Sequence, residues 1–482
     1  MTQTKKAQGR NKMGVMPIKR LLLSMAFPLM LSLVVQSLYN IVDSIYVAQI
    51  GENALAATSL AYPIQILMIA LAVGTGVGIN ALISRLLGAG KRDEVGKAAA
   101  TGVVLAVASS LVFVVVGLPG AKAIARALSS DPDIAEKCGI YLQVCMALCM
   151  GTFLEIMFQR FLQASGRTMY SMLSLVVGAV TNIILDPVLI FGYWGFPAMG
   201  IRGAAIATVI GQWLGALTAI VLNTLFNPDV KVNFRRFRLQ RSTVLAIYKV
   251  GFPTILMQAM GSVMNFGVNR LLADATAIAF FGVYCKLQNF MFMPMNGLGQ
   301  ACLPIVGFNY GAKKGGRIRE TIRTALSWGI GIGLIMSVVF FLLPGQLLSL
   351  FNASPALLAI GIPAVRIMCG TFALCAVTTI LGMCASGLGN GVVNMLGTGL
   401  RQVIVLLPCF WLLLKTVGLP VAWSAMWLSE TWRCSTACAA SGGRSAKRWI
   451  PSCNSEPPGR LAFYIGLLFA SALSGSSRPP RA

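Results

Sequence analysis

The sequence contains no histidine, and this absence excludes several kinds of protein at once. Without imidazole there is no histidine general base, no Ser-His or Cys-His nucleophile pair, and no histidine ligand for haem or for most zinc sites. The sequence also lacks a phosphate-binding loop of the GxxxxGK[ST] type. We therefore predict that the chain is not an enzyme, and that any work it performs takes energy from an ion gradient or from a separate subunit.

Acidic residues are scarce, and charged residues as a whole are few. Only 14 Asp and Glu stand against 39 Lys and Arg, and 11% of the chain is charged while 56% is apolar. A soluble domain of this composition would lack a polar surface, so the chain belongs in a lipid bilayer. Because the basic residues separate apolar runs and form no stripe, we expect no nucleic-acid partner.

Apolar stretches long enough to cross a membrane recur along the chain. A helix needs about 20 apolar residues to cross the hydrocarbon core. Eleven stretches meet this requirement: 21–47, 54–80, 99–120, 139–162, 169–193, 201–226, 245–271, 276–308, 324–346, 356–385 and 392–414. The first is too long for a cleaved signal peptide, and we interpret it as a retained span.

The basic residues also predict the orientation of these spans. They cluster in every second connection: the N-terminal tail and residues 85–97, 160–167, 231–241 and 313–319. Since cytoplasmic loops carry the excess of Lys and Arg, we predict a cytoplasmic N-terminus and a multi-pass protein of the plasma membrane, which is the inner membrane where a cell has two.

The two halves of the chain resemble one another. Matching segments lie 225 to 221 residues apart: Phe27-Pro28 and Phe252-Pro253, Asn40 and Asn265, Gly88-Ala89 and Gly311-Ala312, Ala164-Ser165-Gly166 and Ala385-Ser386-Gly387. Six spans separate the copies, and this even number indicates a parallel repeat. We predict an all-α membrane protein with two six-helix bundles, residues 1–226 and 244–430, joined by a basic cytoplasmic connection at 227–243.

The repeat predicts a twelfth span that the sequence does not complete. Gly200-Ile201 corresponds to Gly418-Leu419, so this span should begin near Leu419 and run for about 25 residues. After Glu430 the sequence becomes rich in Ser, Cys, Arg and Pro and loses its periodicity. We interpret residues 431–482 as an atypical tail, and we hypothesise that it is out-of-frame or otherwise foreign.

Three carboxylates lie inside predicted spans: Asp43, Glu155 and Asp186. A charge within a membrane span costs several kcal/mol, so each of the three is a candidate for function. In the repeat, Val268 corresponds to Asp43 and Leu407 corresponds to Asp186, so the second half lacks both carboxylates. A requirement of the fold would recur in both halves, whereas a coupling site is needed only once.

Oxygen donors accompany the two aspartates. Asn182 lies one helical turn before Asp186, and Thr208 lies in the next span. Two carboxylates at one apolar site repel each other, which favours either a shared proton or a bound Na⁺. We therefore expect a cation-coupling site at Asp43, Asn182, Asp186 and Thr208, with Asp43 and Asp186 as ligands if the ion is Na⁺. The same residues serve both ions.

Simpler interpretations of these acids stay open. Asp43 would then be an interfacial acid near a helix end, and Asp186 an acid at the Pro-broken end of its span. Glu155 would be solvated or paired with Arg160. Pro28 and Pro253 each free a backbone carbonyl, and they predict either a hinge or a static kink.

Further polar residues in the spans are candidates for a substrate cleft. They are Gln36, Tyr39, Asn40, Glu155, Asn265, Lys286 and Gln288. Lys286 and Arg401 suit pairing with carbonyl or anionic groups, and a structural role for each stays open as well. The string Gly74, Gly76 and Gly78 follows no strand, so it indicates helix packing and not a nucleotide loop.

These residues resemble the MATE (multidrug and toxic compound extrusion) family, in its prokaryotic branch related to DNA-damage-inducible exporters. The resemblance covers residues 15 to 430. Its most specific segments are VQSLYNIVDSIYVAQIG at 35–51, TNIILDPVLIFGYWGFPAMGIRGAAIAT at 181–208 and FFGVYCKLQNFMFMPMNGLGQACLPIVGFNYGA at 280–312.

The resemblance implies two six-helix lobes around a V-shaped cleft and the export of cationic, lipophilic compounds in exchange for Na⁺ or H⁺, without a further cofactor. It implies a cation site at Asp43, Asn182, Asp186 and Thr208, and bending of the first helix at Pro28. We expect a monomer that binds small cationic substrates. Two alternatives are a flippase for a lipid-linked precursor and an inactive membrane protein without a complete last helix.

Overall fold

The computed structural model describes residues 11–234, 238–272, 274–351 and 354–432. Within these ranges the chain forms helices and no β-strand. Seven of the described helices are long and apolar enough to cross a membrane, and two bent helix pairs satisfy the same test when each pair is taken together. The predicted all-α membrane fold is confirmed.

The described residues of the first half form seven α-helices, which we number in chain order. They are α1 (Ile18–Ile50), α2 (Glu52–Gly88), α3 (Arg92–Leu128), α4 (Pro132–Ala147), α5 (Met150–Ala164), α6 (Thr168–Phe191) and α7 (Ile201–Phe226). Asp131 accepts hydrogen bonds from the backbone N–H groups of Asp133 and Ile134, and this cap begins α4.

The second half repeats this order. Its helices are α8 (Arg241–Leu271), α9 (Ala275–Gly311), α10 (Gly315–Leu342), α11 (Pro344–Ser349), α12 (Pro355–Cys369), α13 (Phe372–Gly387), α14 (Gly391–Met395), a π-helical segment (Leu396–Leu406), α15 (Leu407–Thr416) and α16 (Leu419–Ala422). A further helix covers residues 425–432. The expected last span therefore begins at Leu419 and is described as far as Trp432. The proposed foreign tail lies outside the described residues from 433 onwards.

Two predicted spans, 139–162 and 356–385, are each a pair of helices in the structure. α4 and α5 meet at an angle of 48°, and α12 and α13 meet at 51°. The breaks fall at corresponding places in the two halves. No proline or charge marks either break, so the sequence shows each pair as one continuous apolar run.

Each half has its own apolar core, and a third cluster joins them. One core draws on residues 47–247 and the second on residues 268–426. In the third cluster Leu21, Leu22 and Met25 of α1 pack with Cys302 and Ile305 of α9. The start of α1 therefore belongs to the first half in sequence but contacts the second half in space.

The described contacts between the halves lie at the end that carries the basic connections. There α2 packs along α8 and α9, and Arg160 of α5 donates a 3.0 Å hydrogen bond to Gln300 of α9. At the opposite end Ile41 and Ile45 of α1 and Phe266 of α8 are exposed. The two halves therefore contact each other closely at the basic end.

Glycines make the close approach of α2 and α8 possible. A Cβ atom at Gly74 would meet the carbonyl oxygen of Gly251 at 2.8 Å, and one at Gly78 would collide with the carbonyl of Ile247. Gly76 faces Ile156 and Arg160 of α5. The Gly-x-Gly-x-Gly string is therefore a packing surface, as the absence of a preceding strand indicates.

Pro28 lies inside α1, where the missing N–H leaves the carbonyl of Ser24 without its helical partner. The hydroxyl of Thr168 in α6 donates to this carbonyl at 3.4 Å. The segment of α1 around Pro28 is thus tied to the helix that carries Asp186. Whether Pro28 and Pro253 act as hinges stays a prediction.

We predict that Gly78→Ala destabilises the protein by about 1–3 kcal/mol, the usual cost of overpacking a close helix contact. Thermal unfolding of the purified protein measures this effect. Gly331→Ala is the matched control, because a Cβ atom there meets no other atom within 4 Å. Equal melting temperatures for the two variants would contradict the packing role of Gly78.

Candidate functional site

The two aspartates predicted to act together lie side by side between α1 and α6. Their carboxyl groups are close enough to share a hydrogen bond when one of them carries a proton. Asp186 is fully buried, and the Oδ1 atom of Asp43 is buried although its residue is only half-buried. The close packing of α1 on α6 holds the pair in contact.

Asn182 and Thr208 complete this cluster, as predicted. The Nδ2 group of Asn182 donates to Asp186 Oδ1 at 3.2 Å and to Thr208 Oγ1 at 3.4 Å. The spacing of one helical turn places Asn182 and Asp186 on the same face of α6. Gly178 and Gly211 bring α6 close to α7, and thus Thr208 reaches the cluster.

Three oxygen atoms of this cluster are buried and have no hydrogen-bond donor among the described residues. They are Asp43 Oδ1, Asn182 Oδ1 and Asp186 Oδ2. A buried acceptor without a donor costs about 1–3 kcal/mol, and more when the group is charged. A proton between the carboxylates, or a hard cation among the oxygens, would satisfy them. Carboxylate, amide and hydroxyl oxygens are ligands of hard cations, which prefer oxygen to nitrogen or sulfur.

The described residues hold no group of three or more His, Cys, Asp or Glu side chains placed for a metal ion. The donor set at Asp43 and Asp186 contains only oxygen and carries at most two negative charges. This set suits a proton or a monovalent cation better than a transition metal. Na⁺ fits the residues present.

Tyr39 and Glu155 are the predicted cleft residues that lie nearest to the aspartates. The Tyr39 hydroxyl is within electrostatic range of Asp43, Glu155 and Asp186. Glu155 accepts a 3.0 Å hydrogen bond from Gln159 and packs against Gly215 of α7. Glu155 is not paired with Arg160, whose guanidinium instead donates to Gln163 and Gln300. Gln36 and Asn40 lie on the exposed face of α1.

The predicted cleft residues of the second half do not join this cluster. Asn265 is exposed and accepts a weak hydrogen bond from Cys285 Sγ at 3.6 Å. Lys286 is exposed and lies 5.9 Å from the ring centroid of Phe351. Gln288 donates to the Tyr284 hydroxyl at 3.2 Å and lines a separate cavity within the second half.

Sequence reasoning missed one buried carboxylate, Glu430. It forms an ion pair with Arg401, and both side chains are buried. Arg401 thus pairs with an anionic side chain of the protein itself, which is compatible with both interpretations of this residue. Glu430 was overlooked because it stands at the border of the atypical tail, where a continuing span was not expected.

Comparisons with known proteins bear on the family and the fold of this chain. The family model described as MatE matches residues 28–188 and again residues 250–411. The multidrug export protein MepA of Staphylococcus aureus is 25% identical over 417 residues, which cover 85% of this chain and 90% of that protein. The probable multidrug resistance protein NorM of Thermotoga maritima is 26% identical over 427 residues, 86% of this chain and 90% of that protein.

Solved structures share the fold. An outward-facing conformation of a multidrug resistance MATE family transporter of the MOP superfamily superposes with a TM-score of 0.83, at 23% identity, over 89% of this chain and 96% of that one. A MOP superfamily transporter from Pyrococcus furiosus superposes with a TM-score of 0.81, at 24% identity, over 88% and 95%. The two matches to the family model fall in the two halves, as the internal repeat indicates.

We predict that Asp186→Asn stabilises the protein in sodium-free buffer, because the new amide donates to the Asp43 carboxylate in place of a repelling charge. A hydrogen bond to a charged group contributes about 1.5–3 kcal/mol. Thermal unfolding of the two purified proteins in the same sodium-free buffer measures this gain. The exposed Asp93→Asn is the control. A destabilised Asp186→Asn variant in this buffer would contradict the contact between the two carboxylates.

Proposed function

The chain belongs to the MatE family, and on that premise we propose that it is a membrane antiporter that exports cationic, lipophilic compounds in exchange for Na⁺ or H⁺. The export proteins MepA and NorM support multidrug export as its activity. The three buried oxygens without donors at Asp43, Asn182 and Asp186 support cation coupling and carry this proposal. The branch within the family stays a prediction.

Coupling follows from the repulsion between Asp43 and Asp186. A proton shared between the carboxyl groups, or Na⁺ held by Asp43, Asp186, Asn182 and Thr208, removes this repulsion and stabilises the packing of α1 on α6. A lipophilic cation in the cleft offers the same carboxylates a competing positive charge. By linkage, substrate and coupling cation must weaken each other's binding by the same factor.

The closed contact between α2 and α8 supports the direction of transport. With the predicted cytoplasmic N-terminus, the closed end faces the cytoplasm and the exposed faces of α1 and α8 open to the outside. In this state the coupling cation enters from outside and favours release of the substrate. For substrate to enter from the cytoplasm or the inner leaflet, α2 and α8 must then separate where Gly74 and Gly78 of α2 pack against α8.

A flippase for a lipid-linked precursor is the second candidate, and the charges at the site count against it. Such a precursor carries phosphate groups, which basic side chains recognise. The charged side chains beside Tyr39 are Asp43, Glu155 and Asp186, all acidic. An inactive product is the third candidate. Against it, Trp423 packs in the second core and Trp427 Nε1 donates to the Ile367 carbonyl at 2.6 Å, so the described part of the last span is anchored.

We predict that Asp43→Asn and Asp186→Asn each reduce gradient-driven efflux to background in vesicles, because neither variant retains the acidic pair that takes up the cation. Efflux of a fluorescent lipophilic cation measures this activity. The exposed Glu136→Gln is the control and should transport like the original chain. Full activity of both aspartate variants would rule out the coupling site.

Separate gradients identify the coupling ion. In vesicles with an imposed Na⁺ gradient and no pH difference, efflux is expected if Na⁺ is the coupling ion. In vesicles with an imposed pH difference and no Na⁺ gradient, efflux is expected if the coupling ion is H⁺. We predict that one gradient or both drive efflux through the chain. Efflux that needs neither gradient would contradict antiport.

A further inference from the structure

A cavity of about 210 Å³ lies inside the second half, away from the aspartate pair. Its walls come from α8, α9, α13, the π-helical segment and the helix at 425–432. Since one water takes up about 30 Å³ of the liquid, this volume suits a molecule the size of several waters, below the usual range for drug-sized ligands. The cavity fits a small solute.

The polar lining of this cavity includes Arg401, which belongs to an ion pair and still has one N–H group without an acceptor among the described residues. Arg401 donates through Nη1 to Glu430 and to Ser429 Oγ, while its Nε group has no acceptor among the described residues. Arg401 is only 8% exposed, so this donor is shielded from bulk solvent. The Oε1 atom of Gln402, the next residue, is buried and has no donor among the same residues. The cavity lining thus offers a ligand one donor, Arg401 Nε, and one acceptor, Gln402 Oε1, from adjacent residues.

Part of the cavity lining is apolar. Met264, Phe292 and Met426 contribute to it, with Leu406 from the π-helical segment. Thioether and aromatic side chains adapt to an aliphatic ligand. The π-helix that presents Arg401 and Gln402 is itself a rare element, and such segments occur often at functional sites.

The repeat shows that this charge arrangement belongs to one half alone. With the 221-residue offset of Asp186 and Leu407, the counterpart of Arg401 is Val180; with the 218-residue offset of Gly200 and Gly418, the counterpart of Glu430 is Gln212. Gln212 makes a neutral 2.6 Å hydrogen bond with Thr152. In the first half, the neutral pair of Thr152 and Gln212 is enough to hold the last helix, α7. The fold of the second half therefore does not require a buried ion pair at the corresponding place.

We propose that this second-half cavity binds a small zwitterion that carries a carboxylate, an ammonium group and an aliphatic side chain. The ligand carboxylate accepts from Arg401 Nε, and the ammonium donates to Gln402 Oε1 beside Glu430. The aliphatic part contacts Phe292 and Met426. A zwitterion leaves the net charge of the buried ion pair unchanged, whereas a simple anion or cation would add an uncompensated charge.

Calorimetric titration of the purified full chain with L-leucine tests this proposal. Its matched analogues are 4-methylpentanoate, which lacks the ammonium group, and isopentylamine, which lacks the carboxylate. We expect L-leucine to bind and both analogues to bind weaker by about tenfold or more, the loss of one charge-assisted hydrogen bond. Absence of L-leucine binding at millimolar concentration, or equal binding of either analogue, would overturn the proposal.

Two variants assign the binding to this cavity. Arg401→Lys keeps a positive partner for Glu430 but removes the Nε donor, and Gln402→Met removes the Oε1 acceptor without breaking a described hydrogen bond. Each should weaken L-leucine by about tenfold, while Glu136→Gln should not change it. If Arg401→Lys fails to fold, Gln402→Met decides alone. Unchanged affinity in Gln402→Met, or a loss in Asp186→Asn, would place the binding elsewhere and refute this site.

Discussion

The contact between the carboxyl groups of Asp43 and Asp186 is the constraint on which the rest of this structure depends. Two acids held together in an apolar bundle are unfavourable unless a cation or a proton joins them. The surrounding residues maintain the contact: α1 packs on α6, Thr168 holds the carbonyl freed by Pro28, and Asn182 ties Asp186 to Thr208. The site is therefore coupled to the position of α1, the helix that also joins the two halves.

The two halves share a backbone plan and differ in their buried charges. The first half holds an acidic pair, and the second half holds a neutralised pair, Arg401 with Glu430. The two pairs stand at different positions of the repeat, so each half carries buried charges that the other half lacks. Net acidity in the first half favours cationic ligands, and a balanced ion pair in the second favours ligands without net charge.

The sequence alone predicts much of the fold, because apolar runs and the charges between them are visible without coordinates. It also predicts Asp43, Asn182, Asp186 and Thr208 as one cluster, since the repeat singles out the two aspartates, helical spacing adds Asn182, and the family resemblance implies all four. It does not predict the breaks between α4 and α5 or between α12 and α13, where neither a proline nor a charge marks the bend. Nor does it predict Glu430, whose burial depends on a tertiary ion pair at the border of an aperiodic tail.

The central claim is that the aspartate pair takes up a cation that substrate displaces. Its most direct test is the release of H⁺ or Na⁺ when the purified chain is saturated with tetraphenylphosphonium in weakly buffered solution. The account predicts a release that follows binding and disappears when Asp43 and Asp186 are both changed to Asn. Tight binding of tetraphenylphosphonium with no release of either cation would contradict it.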